Sequence, residues 1–234
     1  MNSDQIWSQK WTGEYQRKQK MNRSMQYPAE TLVRIFKGDY IGLFPSSYDG
    51  LDVLDIGGGD GNNLAFLQQL GFKAHGTEIN TFLTRRLTRK LKARKVTAVT
   101  RVGHNDDLPF PDGKFDFLVS WNVIHYCGSR AWMERNIKEY SRVLKPGGFL
   151  VLSTMAPGHK HLQESRKVAP NIYVIKYHRD IRDRQRMFCF ETQSGLKRSF
   201  APLFNVVKAG RNFTDLMGLD FFILVAQRKR DEKK

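Results

Sequence analysis

Residues 53–63 read VLDIGGGDGNN, with Asp55, Gly57, Gly59 and Gly61 at alternate positions of a DxGxGxG pattern. Glycines set directly after a strand let the backbone turn tightly and approach a ligand, and the helix that follows offers its N-terminus to an anionic group. About twenty residues further on, Glu78 ends the next strand-like run, where a carboxylate can accept both hydroxyls of a ribose. The dinucleotide fingerprint GxGxxG does not fit, because its sixth position counted from Gly57 is Asn62. Glycine loop and acid together point to a ligand that carries a nucleoside.

The elements that must hold these residues alternate along the chain. Strand-like runs at residues 51–56, 73–78, 96–102, 115–121 and 149–155 are separated by helical runs, the pattern of an α/β domain with a mostly parallel sheet. The helix at 62–70 can be stopped by Gly71. That at 81–95 places Leu83, Leu87 and Leu91 on one face, with its arginines and lysines expected on a solvated face. A further helix at 131–144 is ended by LysProGlyGly at 145–148, and another occupies 194–204. Two last strands, 205–210 and 220–227, are separated by about ten residues, too few for a crossover helix. The seventh strand is therefore expected to be antiparallel. Ahead of the first strand, Trp7, Trp11 and Tyr15 at helical spacing and a second helix at 29–36, with Pro28 in its first turn, form a helical preface. The aromatic stripe serves either as a lid over substrate or as packing.

With 234 residues, one enlarged domain is favoured over two. A composition of 40% hydrophobic, 12% aromatic and 26% charged residues argues against a largely disordered chain. The longest apolar run covers 221–226, far short of the roughly 18–20 residues of a membrane span, and the N-terminus shows no secretory pattern. Two cysteines, Cys127 and Cys189, lie in no metal-binding spacing and are expected as free thiols in a reducing cytoplasm. His159, His161 and His178 have no evident coordinating partners, so no metal is expected. The net charge of +16 is carried by residues 81–101, 159–188 and 227–234. It favours an anionic partner or a solubilising surface.

The glycine segment, LPFPDGKFDFLVSWNVIHY at 108–126 and YSRVLKPGGFLVLSTMAPG at 140–158 together resemble the class I S-adenosylmethionine-dependent methyltransferases, in the family's order and spacing. The branch that methylates small molecules and surface sugars is the more similar one. The resemblance implies a three-layer Rossmann-like sandwich with a seven-stranded, mostly parallel sheet, a helical cap at 1–45, and a domain at 46–230 with a basic insertion at about 158–190. It implies that Gly57, Gly58 and Gly59 lie under the methionine part of S-adenosylmethionine, that Asp55 orders the loop, that Glu78 holds the ribose and that Ile79 lines the adenine. Relatives read GDAxxLPF where this chain reads GHNDDLPF, so His104 replaces the adenine-binding acid and that contact shifts to Asn105 or Asp106. Trp121 and Asn122 are expected to face cofactor and substrate.

A sulfonium methyl is already electrophilic, so the protein mainly holds a nucleophile in line and excludes water. An oxygen or nitrogen acceptor that begins protonated gains from a base, and His125, expected at the start of the helix after the fourth strand, is the candidate for it, with Tyr126 as a weaker one. The histidine can equally pack or hydrogen-bond. The long basic insertion favours an anionic small molecule or glycan. RNA is an alternative acceptor, and a non-catalytic cofactor-binding module is an alternative to the enzyme.

Overall fold

The computed structural model describes residues 3–20, 27–38, 40–178 and 180–230. Residues 21–26 of the expected cap, Arg179 of the insertion and the basic residues 231–234 lie outside the described residues. The chain divides into two compact units, residues 1–104 and 105–234. The expected α/β class is found: the main sheet has seven strands, three in the first unit and four in the second, and it is mostly parallel.

In the first unit, helices α1 (Ser3–Lys20) and α2 (Glu30–Lys37) precede β1 (Asp52–Ile56), α3 (Asn62–Gln69), β2 (Lys73–Glu78), α4 (Thr81–Ala93) and β3 (Ala98–Val102). The strands are parallel in the order β3-β2-β1, with Asp55 opposite Gly76 and Thr77 opposite Arg101. Such pairing needs crossover connections, which α3 and α4 supply. Pro28 precedes α2 rather than sitting in its first turn, because Ala29 is the N-cap and gives its N–H to Asn63 Oδ1 at 3.2 Å. Phe36 of α2 meets Phe44, Tyr48, Phe66 and Phe72, mostly edge to face, and Leu83, Leu87 and Leu91 of α4 are buried as expected. Arg86 is the exception to the solvated face. It is only 6% exposed, since its position on the 3.6-residue repeat falls beside Leu83 and Leu87.

In the second unit, β4 (Phe115–Trp121), α5 (Arg130–Val143), β5 (Leu144–Met155), α6 (Gln193–Phe200), β9 (Phe204–Thr214) and β10 (Leu219–Arg228) form the main body, in the strand order β4-β5-β10-β9. β4 and β5 are parallel, with Val119 opposite Val151. As expected, β10 is antiparallel, pairing Leu224 with Leu152 of β5 and with Ala209 of β9. Among the boundaries that differ from the sequence expectation, two bear on the site. β5 begins at Leu144 rather than Phe149, since Leu144 already pairs with Phe115, a register shift absorbs the LysProGlyGly residues, and Lys145 Nζ is 2.8 Å from Asp116. α5 starts at Arg130, where the Ser129 hydroxyl caps the helix by accepting the Trp132 N–H. His125 therefore lies in the loop before the helix and not at its start.

The basic insertion carries strands that were not among those expected from the sequence. It forms a second, three-stranded antiparallel sheet of β6 (Arg166–Ala169), β7 (Ile172–Val174) and β8 (Arg186–Phe188). Its strands are anchored by Ile172, Met187 and Phe188, all buried.

Candidate active site

The first unit gathers Asp55, Gly57, Gly58, Gly59, Glu78 and Ile79 at the carboxyl ends of β1 and β2. Gly57 and Gly59 have φ of 68° and 58°, values that strain a side-chain-bearing residue, so the alternate glycines are a backbone requirement of the turn. The Gly57 and Gly58 N–H groups both donate to Thr77 O, at 3.0 and 3.1 Å. Glu78 Oε1 accepts the Gly59 N–H at 2.6 Å, and the Ile79 N–H also reaches this carboxylate. Burial nevertheless pushes Glu78 up to about 7, against the two amides, and burial with the Glu78 charge pushes Asp55 up to about 8. One Asp55 oxygen, Oδ2, has no hydrogen-bond partner among the described residues.

Helix α1 closes over this loop. The Tyr15 hydroxyl stands 2.7 Å from where a Cβ on Gly59 would project, and Arg86 lies over the Tyr15 ring at 4.1 Å. Arg86 donates to Gly59 O at 3.1 Å and bonds Asp60, which Lys90 also meets at 2.5 Å. Burial works against the charge on Asp60, but hydrogen bonds from Lys90 and Arg86 hold its carboxyl below the usual range. Asn80 caps α4 through Oδ1 and uses Nδ2 to bind Ser8 Oγ at 2.8 Å and Thr12 Oγ1 at 3.1 Å of α1. A buried carboxylate at the end of β2, a side-chain-free turn and an orphan acid oxygen fit a ligand that brings hydroxyl and amino donors, as a nucleoside with an amino-acid tail does.

The second unit holds the remaining candidates. Asn105 Oδ1 accepts the Tyr140 hydroxyl at 2.8 Å, and Asp106 pairs with Arg135 at 3.0 Å. Trp121 ends β4. Asn122, at a left-handed φ of 60°, is fixed by its N–H to Ser153 O at 3.1 Å and by the Ser153 hydroxyl to its Oδ1 at 2.5 Å. His125 is 2% exposed, and its Nδ1 accepts the Met155 N–H at 3.3 Å. Burial, with the charges of Arg182, His159 and His161 adding to it, holds His125 well below the usual histidine range. Around it stand Tyr126, whose oxygen accepts from Arg182 Nε at 3.0 Å, and Asp180, which receives Arg182 Nη1 at 2.8 and 2.9 Å.

Residues 54–152 match the family model described as a methyltransferase domain. Over these residues the chain is similar to methyltransferase domains, and its fold is that of S-adenosylmethionine-dependent methyltransferases of known structure. It is 31% identical over 127 residues to the biotin biosynthesis bifunctional protein BioHC of Cellvibrio japonicus, covering 54% of this chain and 24% of that one. It is 33% identical over 106 residues to probable tRNA methyltransferase 9B of Homo sapiens, covering 45% and 22%. In fold it is similar to the 1,6-didemethyltoxoflavin-N1-methyltransferase of Burkholderia thailandensis, solved with 1,6-didemethyltoxoflavin and S-adenosylhomocysteine, with a TM-score of 0.68, 14% identity, and 96% and 88% of the two chains covered. The chain thus matches less than a third of either curated relative.

Three features were not expected from the sequence: the Arg86–Asp60 bond and the tie from Asn80 to α1 in the first unit, and the Arg182 cluster in the second. The first had a signal in the position of Arg86 among the leucines. The second and third bring together residues far apart in sequence with no local pattern. Both cysteines are buried free thiols, as expected, and burial pushes Cys189 up to about 12. Among the described residues no group of His, Cys, Asp and Glu could hold a metal ion, and no helix is long and apolar enough to cross a membrane.

Proposed function

We propose that this protein transfers a methyl group from S-adenosylmethionine to an oxygen or nitrogen of an anionic small molecule or glycan. The observation that carries the reading is the buried Glu78 carboxylate clasping the Gly59 amide at 2.6 Å, at the carboxyl ends of β1 and β2, where ligands of open α/β sheets bind. In this reading Glu78 accepts the ribose hydroxyls, Gly57, Gly58 and Gly59 leave room for the methionine part, Asp55 turns its open oxygen to the loop and Ile79 lines the adenine. Asn105, Asp106, Trp121 and Asn122, all in the second unit, are further cofactor-binding residues in this reading. When bound, the cofactor supplies an electrophilic sulfonium methyl. The protein's part is to position the acceptor and keep water out. Tyr15 and Arg86 serve as the cover over the loop, residues 1–45 being the cap.

His125 contributes a hydrogen bond rather than a base. Because its Nδ1 lone pair takes the Met155 N–H, its ring proton belongs on Nε2, which then donates. Two buried thiols support a reducing, cytoplasmic location. RNA is a second acceptor class, favoured by the similarity to probable tRNA methyltransferase 9B and by the basic charge. Incubation with methyl-labelled S-adenosylmethionine and fractionated cell extract separates the two. Label that survives nuclease in a small-molecule or glycan fraction supports the proposal, and label lost to nuclease selects RNA. No label in any fraction, with S-adenosylhomocysteine still bound, would leave the domain a binding module.

A further inference from the structure

Past the carboxyl ends of β4 and β5 the second unit carries an apolar tip. β9 and β10 stay paired out to Thr214 and Leu219, beyond Met155, which ends β5 and pairs with Phe221. Between them the chain turns through Asp215–Met217. The Gly218 N–H closes the turn on Asp215 O at 2.9 Å, with Gly218 at a left-handed φ of 60°. Leu216 on this turn is 96% exposed, and Phe213 and Met217 beside it are 55% and 51% exposed. Single exposed apolar side chains are ordinary on a protein surface, whereas three within residues 213–217, on a hydrogen-bonded turn, mark a contact surface.

The same end of the sheet carries positive charge. The insertion at 159–188 holds eight basic and three acidic residues, a net of five. Its place is fixed by bonds: the Lys160 N–H reaches Gly218 O at 2.8 Å, the Phe188 N–H reaches His125 O at 3.1 Å, and the Cys189 thiol lies 3.5 Å from Met155 O. The Lys160 side chain packs on Gly218, 3.1 Å from where a Cβ there would project. Arg166 and Arg186 both pair with Val174 in one row of the small sheet, so they share a face, and both are exposed. Lys160, Arg166 and Arg186 make no ion pair among the described residues. Asp215 is the one acid of the turn.

We propose that the tip at 213–217 and the basic insertion form a docking surface for an anionic lipid bilayer. Charge complementarity selects this occupant. A bilayer rich in acidic lipid offers negative headgroups to Lys160, Arg166 and Arg186 and, beneath them, an apolar layer for Phe213, Leu216 and Met217. A nucleic acid satisfies the cations but leaves the apolar tip in water, and an apolar protein face takes the tip but leaves the cations unmatched. Docking in this way turns the carboxyl ends of β4 and β5 towards the lipid. The surface goes beyond the methyltransferase reading and does not depend on it.

The test sediments the full chain with vesicles of phosphatidylcholine alone and of equal parts phosphatidylcholine and phosphatidylglycerol. The parent should partition onto the mixed vesicles and hardly onto phosphatidylcholine alone. Leu216→Ser with Met217→Ser should weaken that partition by about tenfold or more, since two apolar side chains no longer leave water for lipid. Val99→Ser, at an exposed apolar position on β3, should change it by less than about twofold, because that residue is not on the tip. Arg166→Gln with Arg186→Gln should weaken it as well and flatten its dependence on salt. An unchanged thermal midpoint shows that each variant is folded. Insertion is read directly from Leu216→Cys carrying an environment-sensitive fluorophore, since Cys127 and Cys189 are buried. Its emission should rise on mixed vesicles and be quenched by spin-labelled acyl chains. Equal partition of the serine variant, or a label at 216 that stays in water on vesicles the chain binds, would leave only attraction between charges and overturn the surface. So would a parent that ignores the mixed vesicles, including one that instead dimerises through the tip, as sedimentation of the protein alone would show.

Discussion

Glu78 and Asp55 are two acids buried against each other, and folding lifts both above their ordinary values of 4.5 and 3.8. A carboxyl that is easier to protonate when folded makes folding take up protons, so its stabilising contribution is present at low pH and is lost as pH rises towards the folded value. The window here runs from about 4 to about 7 for Glu78 and about 8 for Asp55. The thermal midpoint of the protein alone should therefore fall between pH 6 and pH 8, and Glu78→Gln should flatten that fall by removing one of the two titrations. A midpoint that rises over this range in the parent, or an equal fall in the variant, would contradict the assignment. The glycine loop and both acids were legible in the sequence because the φ requirement of the turn leaves its mark as residue type at fixed spacing. The proton placement on His125 was not, since it depends on the Met155 amide, thirty residues away.

At the scale of elements, α1 and α4 are joined to the glycine loop through a small set of polar bonds. Arg86 is nearly buried and bonds both Gly59 O and Asp60. Arg86→Met should cost about 1–3 kcal/mol in urea unfolding, the penalty of leaving a buried polar partner short of a donor, and less than the loss of a whole ion pair because Lys90 stays on Asp60. Asn80→Ala removes both the α4 cap and the bonds to Ser8 and Thr12, and should cost about 1–2 kcal/mol, read in the same assay. The seven main strands were legible because apolar runs alternate with helical spacing, and the antiparallel sense of β10 followed from the short connection before it. β6, β7 and β8 were not legible. They are three or four residues long, too short for an alternating pattern to emerge from a run of arginines and lysines. Their order comes from tertiary burial of Ile172, Met187 and Phe188.

For the whole molecule, charge and chemistry separate. The net charge of +16 attracts any polyanion through a field that salt screens. Weak RNA binding, if present, should collapse between 50 and 200 mM salt, by about 10³-fold or more if six or more phosphates are contacted. Transfer of label to a small-molecule fraction should change far less over the same range, and an equally steep collapse of that transfer would contradict the small-molecule acceptor. The methyltransferase assignment itself rests on the cofactor. It is tested most directly by calorimetric titration of S-adenosylhomocysteine into the parent and Glu78→Ala at pH 8, with the parent repeated at pH 6. One-to-one binding is predicted, weakened about 10–100-fold by Glu78→Ala through loss of charged hydrogen bonds to the ribose, and weaker in the parent at pH 6 because Glu78 is then protonated. No binding by the parent at pH 8, or equal affinity in Glu78→Ala, would contradict the account.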